Sequence, residues 1–245
     1  MRLCNSGSLR RSVVAAARPS ARHPAPDRPR RKAPPVNSAN ESAVFWEKHY
    51  AGMDARWGTK PNPVLTALLA DLAPAPGTSL DLGCGHGGDA LWLAAQGWDV
   101  TAVDVSQTAL DRVAAGAAAT GVTDRIHTRR HDLAETFPDG TFDLVTAAYF
   151  HSPITMAREH VLRRAAEAVA PGGLLIVIEH ASTAPWSWQA GQDIRYPTPD
   201  DVIASLRLDD TWRVERGDAP QRTATGPEGR TATVTDNIIA VRRTS

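Results

Sequence analysis

Residues 79–106 read SLDLGCGHGGDALWLAAQGWDVTAVDVS. Ser79–Leu82 has the apolar character of a short buried strand, and Gly83, Gly85 and Gly87 follow it directly. Asp89–Gln96 then carries the spacing of a helix closed by Gly97, and Trp98–Val103 is a second strand. Strand, glycine turn, helix and strand make a βαβ unit, because parallel neighbours need a crossover. Glycines belong at such a turn where the backbone bends sharply and a ligand approaches without Cβ contacts. Asp104 ends the second strand, about twenty residues on, where a carboxylate accepts both hydroxyls of a ribose. An adenosine-containing ligand follows.

The same alternation extends outward. Glu41–Tyr50 is a short amphipathic helix, and Asn62-Pro63 opens another through Leu65, Leu68, Leu69 and Leu72, with Asn as N-cap and Pro at the first helical position. Ser106 caps an Ala-rich helix running to Gly121. Arg125–Arg130 and Phe142–Tyr149 are strands three and four. Ala157–Ala170 is a helix stopped by Pro171-Gly172-Gly173, and Leu174–Glu179 is an apolar fifth strand. Thr198-Pro199-Asp200-Asp201 starts one more helix, with acids at its positive end. Trp212–Thr223 and Thr231–Val241 alternate polar and apolar around Gly226-Pro227-Glu228-Gly229, as an antiparallel hairpin at the sheet edge does. The expected fold is α/β: a Rossmann-like, doubly wound sheet of about seven strands, mostly parallel with an antiparallel C-terminal hairpin, and helices on both faces.

Spacing alone leaves the ligand open, since Gly83, Gly85 and Gly88 also satisfy the dinucleotide pattern G-x-G-x-x-G. Asp81 decides. A carboxylate beside a pyrophosphate repels it, whereas beside the ammonium of a methionine moiety it attracts. The ligand implied is S-adenosylmethionine. Asp81–Gly87, D-L-G-C-G-H-G, followed by Val103-Asp104, resembles motifs I and II of the class I S-adenosylmethionine-dependent methyltransferases. Asp132-Leu133 resembles the pair whose side chain and backbone NH read adenine, and FDLVTAAYF at 142–150 resembles the strand beneath the methionine end. The resemblance implies strand order 3-2-1-4-5-7-6 and a cofactor site of Asp81, Gly83, Cys84, Gly85, Gly87, Asp104, Val105, Asp132 and Leu133. Cys84 there reads as a small buried filler. The segment FWEKHYAGMDARWGTKPNP at 45–63 resembles the N-terminal lid of the tellurite-resistance and thiopurine-type branch.

The acceptor is read by elimination. The family's N/D-P-P-Y arrangement is absent after strand four, where Tyr149-Phe150-His151-Ser152-Pro153 stands, and the body's only cysteine, Cys84, lies in the glycine loop rather than in a Pro-Cys nucleophile. A small-molecule acceptor is expected, and no metal. His86, His151 and His180 follow strands one, four and five; His151 is the candidate general base, needed only where the acceptor must lose a proton. Trp57, Tyr149 and Trp186 are the candidate acceptor contacts, among the aromatics Trp46, Tyr50 and Trp188. A non-catalytic module that binds the cofactor and an NAD-dependent oxidoreductase are the alternatives.

Charge divides the chain of 245 residues. Its 27 Lys and Arg balance 27 Asp and Glu, but residues 1–40 hold eight Arg and one Lys against Asp27 alone, leaving an acidic body. Residues 1–40 therefore read as a disordered basic tail, 41–75 as a helical cap and 76–245 as the core, with 41–245 one methyltransferase domain. The tail has the composition of a targeting segment, of translated upstream sequence, or of an arm for an acidic partner. An acidic body argues against nucleic acid as the partner. No apolar run approaches the ~18 residues a membrane span needs, and the cytoplasm is the expected compartment.

Overall fold

The computed structural model describes residues 39–56, 58–187 and 190–244. Residues 1–38 of the 1–40 stretch assigned to the tail, and the aromatics Trp57 and Trp188, lie outside the described residues.

Two helices precede the sheet: α1 (Ala39–Gly52) and α2 (Pro63–Leu72). α1 begins two residues inside the stretch assigned to the tail. α2 starts as expected, with the Asn62 side chain accepting from the Val64 amide. The core then alternates β1 (Thr78–Leu82), α3 (Gly88–Ala95), β2 (Asp99–Asp104), α4 (Gln107–Thr120), β3 (Ile126–Arg130), β4 (Phe142–Ala148), α5 (Arg158–Glu167) and β5 (Val169–His180). It closes with α6 (Pro199–Leu206), β6 (Trp212–Asp218), β7 (Gln221–Thr225) and β8 (Thr231–Arg243). Ser106 caps α4 through the Ala109 amide, and Thr198 with Asp201 forms a reciprocal capping box at α6.

The sheet runs β3-β2-β1-β4-β5-β8-β6, with β7 paired to β8. The five leading strands are parallel, while β8 is antiparallel to β5, β6 and β7. This is the expected order 3-2-1-4-5-7-6 once the hairpin's first arm is counted as two strands. That arm breaks at Ala219-Pro220, because proline has no amide to give the ladder. β8 therefore lies inside the sheet and β6 forms its edge.

The fifth strand departs from its expected limits. α5 ends at Glu167, three residues early, and β5 begins at Val169, running through Pro171-Gly172-Gly173 instead of starting after them. Val169 pairs with Phe142 and Leu174 with Leu144, so the proline and glycines form a bulge within the strand, where Gly172 supplies a positive φ of 82°.

Apolar side chains fill both faces. Leu65, Leu68 and Leu93 pack on Val100, Ile176, Ile178 and Ile238 from one side. Val161, Leu162, Val202 and Leu206 pack on Val145, Leu175, Val177 and Ile239 from the other. Helices on both faces leave the carboxyl ends of β1, β2, β4 and β5 as the open rim, which is where α/β sheets of this kind bind ligands.

Candidate active site

The glycine loop sits at that rim. Gly83, Gly85 and Gly87 all have positive φ, which lets the chain turn from β1 into α3. A Cβ on Gly83 would come 2.7 Å from the Phe150 ring, and one on Gly85 3.0 Å from the Tyr50 hydroxyl. Gly88, outside the expected set, is crossed by the 58–60 backbone: a Cβ there would meet the Lys60 carbonyl oxygen at 2.3 Å. The Asn62 amide donates to Asp89 at 2.6 Å and pins that crossing.

Asp104 is buried at the end of β2 and accepts from the Gly85 amide (3.0 Å) and the Ser106 amide (2.9 Å). Burial raises its pKa, against those amide bonds. One bond on each oxygen fixes the carboxylate and leaves a lone pair on each for ribose hydroxyls. Val105 follows on the same wall, and Arg130 donates to its carbonyl. Asp132 accepts from the Ala134 amide at 3.1 Å and lies next to buried Leu133. Asp104, Val105, Asp132 and Leu133 line one cavity, walled opposite by Trp46 and Tyr50 of α1 and by Phe150 and His151.

A second, wider cavity adjoins it, and Tyr50, Gly83 and Tyr149 line both. Asp81, Cys84, Gly85, Asp89, Lys60 and Arg222 line this second lobe. Asp81 accepts from the Thr146 hydroxyl at 2.8 Å; burial first, then the neighbouring Asp89, raises its pKa. Burial likewise raises the Cys84 thiol, which fits a packing residue better than a nucleophile. The two lobes suit the two ends of an adenosyl amino acid: polar groups for ribose and adenine at one end, and a buried carboxyl for an ammonium at the other.

The cap is fastened by side chains that the sequence reading passed over. Glu47 accepts from Ser106 Oγ (2.8 Å), from the Thr108 amide (3.3 Å) and from the Thr108 hydroxyl at the N-terminus of α4. The Thr108 and Ser106 bonds hold its pKa down to about 2. Trp46 Nε1 donates to Ser152 Oγ at 3.3 Å, and Arg112 donates to the Met53 carbonyl. A lone acid among the aromatics of 45–50 was the available signal.

The three histidines divide. His86 is buried against Tyr50, 5.1 Å between ring centroids, and contacts Arg112. His151 and His180 stack on each other instead, 5.9 Å apart with planes at 16°. Partial desolvation first, then Arg158 and His180, holds His151 down to about 4, although the residue remains exposed to solvent. Among the described residues no three His, Cys, Asp or Glu are grouped so as to hold a metal. Glu179 is buried and paired with Arg158, which also donates to the Phe150 carbonyl. Trp186 packs on Gly226 of the β7–β8 turn, next to Thr225 of the second lobe, without itself lining either lobe. No helix among the described residues is long and apolar enough to cross a membrane.

Comparison with known proteins agrees with this arrangement. A family described as a methyltransferase domain matches residues 80–173. The 27-O-demethylrifamycin SV methyltransferase of Amycolatopsis mediterranei is 37% identical over 117 residues, covering 45% of this chain and 42% of that protein. The ribosomal RNA small subunit methyltransferase C of Alcanivorax borkumensis is 32% identical over 51% of this chain and 39% of its own length. The chain thus spans less than half the length of either. Among solved structures, one reported for the conversion of a disulfide bond into a thioacetal group during echinomycin biosynthesis shares the fold at TM-score 0.64 and 24% identity, covering 82% of this chain and 92% of that one. TehB from Haemophilus influenzae shares it at TM-score 0.58 and 14% identity, over 82% and 67%. With the glycine loop, the strand-end carboxylates and the strand order in agreement, residues 80–173 are a methyltransferase domain of the class I, S-adenosylmethionine-dependent family.

Proposed function

We propose that the chain transfers a methyl group from S-adenosylmethionine to a small-molecule acceptor held between α1 and the ends of β4 and β5. The observation that carries this is the continuous two-lobed cleft, with Asp104, Asp132 and Leu133 in one lobe and buried Asp81 in the other. When bound, the cofactor supplies an electrophilic methyl group on a sulfonium. The chain's own residues bind and orient. Asp104 offers its free lone pairs to the ribose, Asp132 and Leu133 face adenine, and Asp81 is the counter-ion for the ammonium. Gly83, Gly85 and Gly87 give the backbone its close approach, with Cys84 and Val105 packed beside them.

Trp46, Tyr50, Tyr149 and Phe150 line the lobe of Asp104 and Asp132, and Tyr50 and Tyr149 line the second lobe as well. The acceptor is assigned to this aromatic surface where the lobes adjoin, whose rings exclude water and favour a cation. An aromatic wall of this kind supports a small organic acceptor. The names of the rifamycin relative and of a 31% identical 2-heptyl-1-hydroxyquinolin-4(1H)-one methyltransferase of Mycobacteroides abscessus add to that support. Trp186 and Trp57 belong to the same proposal as acceptor contacts, and His151, which lines the first lobe, as a candidate general base. Residues 41–75 act as the cap and 76–245 as the core of one catalytic domain, working in the cytoplasm.

Calorimetric titration of the full chain with S-adenosylhomocysteine tests the cofactor, with Asp104→Ala and NADH as controls. Two hydrogen bonds to an ionised group are worth about 3–6 kcal/mol together, so the variant is expected to lose at least ~100-fold in affinity. Binding of NADH in place of S-adenosylhomocysteine overturns the proposal. Transfer of a labelled methyl group to a panel of small hydroxylated and aminated compounds then tests the acceptor.

A further inference from the structure

Four polar side chains meet beyond the cofactor residues, where β4 and β5 end beside the middle of β8. His180 and Asp236 stand directly opposite each other in the antiparallel β5–β8 ladder. His180 Nδ1 lies 3.4 Å from Asp236 Oδ1, and Asp236 is 1% exposed. The other carboxylate oxygen accepts from Arg222 Nε and, at 2.9 Å, from the Tyr149 hydroxyl, which in turn accepts from Arg222 Nη2 at 2.9 Å. Tyr149 holds its place with a left-handed φ of 51°, a strained conformation for such a residue that persists only where surrounding contacts impose it.

This cluster has the parts of a proton acceptor. Burial works against ionisation of Asp236, yet hydrogen bonds from His180, Arg222 and Tyr149 hold its carboxyl below the usual range. An ionised carboxylate at Nδ1 takes the Nδ1–H tautomer of the imidazole and leaves the Nε2 lone pair free. The His180 side chain is 49% exposed, so Nε2 is open to an acceptor. Its ring lies flat against Tyr149, with centroids 4.2 Å apart and planes at 20°, and Tyr149 lines both lobes of the cleft. His151 differs: no side chain among the described residues fixes its ring nitrogens, and Arg158 stands close to it. The rings of Tyr149, His180 and His151 stack in near-parallel planes, and Tyr149 and His151 line the same cavity as Trp46 and Tyr50 of the cap. A cavity lined by aromatic rings favours a flat aromatic acceptor.

We propose that His180, oriented by Asp236, takes the proton from the hydroxyl of a planar aromatic acceptor, making the reaction an O-methylation. The hydroxyl oxygen's lone pair forms the new C–O bond, the S–C bond breaks with its electron pair left on sulfur, and the hydroxyl proton passes to Nε2 of His180. This rests on the methyltransferase proposal above and adds to it the acceptor class and the base. Asp236 is a positioning residue, and Arg222 keeps it charged.

The test compares the full-length chain with His180→Ala and Asp236→Asn, using S-adenosylhomocysteine, 4-nitrophenol and 7-hydroxycoumarin as probes. Calorimetry with S-adenosylhomocysteine is expected to give the same affinity within about twofold in all three proteins, separating this site from the cofactor's. The ¹⁵N spectrum is expected to show the His180 proton on Nδ1 in the wild type and on Nε2 in Asp236→Asn, whose amide donates where the carboxylate accepted. The absorbance of the bound phenols is expected to shift to the phenolate form in the wild type and not in His180→Ala. Methyl transfer to them is expected to fall by about 10²–10⁴-fold in His180→Ala and to recover with added imidazole. Undiminished transfer in a His180→Ala variant that still binds S-adenosylhomocysteine overturns the assignment, as does failure of both phenols to bind. Loss of S-adenosylhomocysteine binding by the wild type would instead remove the methyltransferase proposal itself.

Discussion

Removing the Glu47 carboxylate unfastens α1 from the N-terminus of α4. One carboxylate there takes hydrogen bonds from the Ser106 hydroxyl, the Thr108 hydroxyl and the Thr108 amide, and it sits where the helix end is positive. Charge-assisted bonds of this kind reach about 1.5–3 kcal/mol each when desolvated, but Glu47 lies close to solvent. Screening reduces the whole set to about 1–2 kcal/mol. That amounts to a factor of ~5–30 in the ratio of docked to undocked cap. Hydrogen exchange of the α1 amides in Glu47→Ala is therefore expected to accelerate ~5–30-fold at neutral pH, with Glu47→Gln in between, since the amide still accepts without the charge. Affinity for S-adenosylhomocysteine falls by no more than the same factor, because it scales with the docked fraction. The folded pKa is depressed from 4.5 to about 2, so this stabilisation is complete above the ordinary carboxylate range and is lost as pH falls through that interval. Wild-type α1 should accordingly loosen between about pH 4.5 and 2, and the Ala variant should show no such step. Unchanged α1 exchange in Glu47→Ala would refute the latch.

Arg158→Ala strands buried Glu179 without its partner and is expected to cost about 3–5 kcal/mol, read as a fall in thermal midpoint of ~6–20 °C; the double variant Arg158→Met/Glu179→Leu should recover most of it. Asp81 has its pKa raised by burial and by Asp89, so its contribution to stability is complete below the ordinary carboxylate range and declines as pH rises above it. Asp81→Asn should thus stabilise the free chain increasingly toward neutral pH, measured by denaturant titration at stepped pH, while weakening S-adenosylhomocysteine binding. Titration of the wild type in buffers of different ionisation enthalpy should show a proton released as the ammonium binds.

The features legible in the sequence are those governed by one local rule. Asn62, Ser106 and Thr198 cap helices because a short polar side chain reaches the amides two or three residues on, whatever the rest of the fold does. The glycine turn and Asp104 are legible for the same reason: strand, turn and strand end are set within 28 residues, and the structure lines the cavity from them. Pro171-Gly172-Gly173 misled because it satisfies two rules at once, a helix stop and a strand bulge, and pairing of Val169 with Phe142 chose the second. Glu47, Arg222 and Asp236 were missed because their partners lie 59, 73 and 56 residues away, brought close only by the cap's docking or the β8 register. A trace of them was present: Asp236-Asn237 breaks the alternation of polar and apolar residues along the strand, and a buried polar pair requires partners.

Electrostatics explains why the cleft prefers one kind of ligand. Asp81 and Asp104 are buried at the same rim, with Asp89 beside them, and burial raises the pKa of all three. The free chain holds them by hydrogen bonds from Thr146, Asn62, Gly85 and Ser106, without a basic side chain on any of those bonds. A dinucleotide would add two phosphates to these acids, although the glycine spacing admits one. Under the proposed function, a ligand with a neutral ribose and a cationic amino-acid end satisfies them instead, with its hydroxyls at Asp104 and its ammonium at Asp81. The glycines provide the space, and the carboxylates decide what enters it.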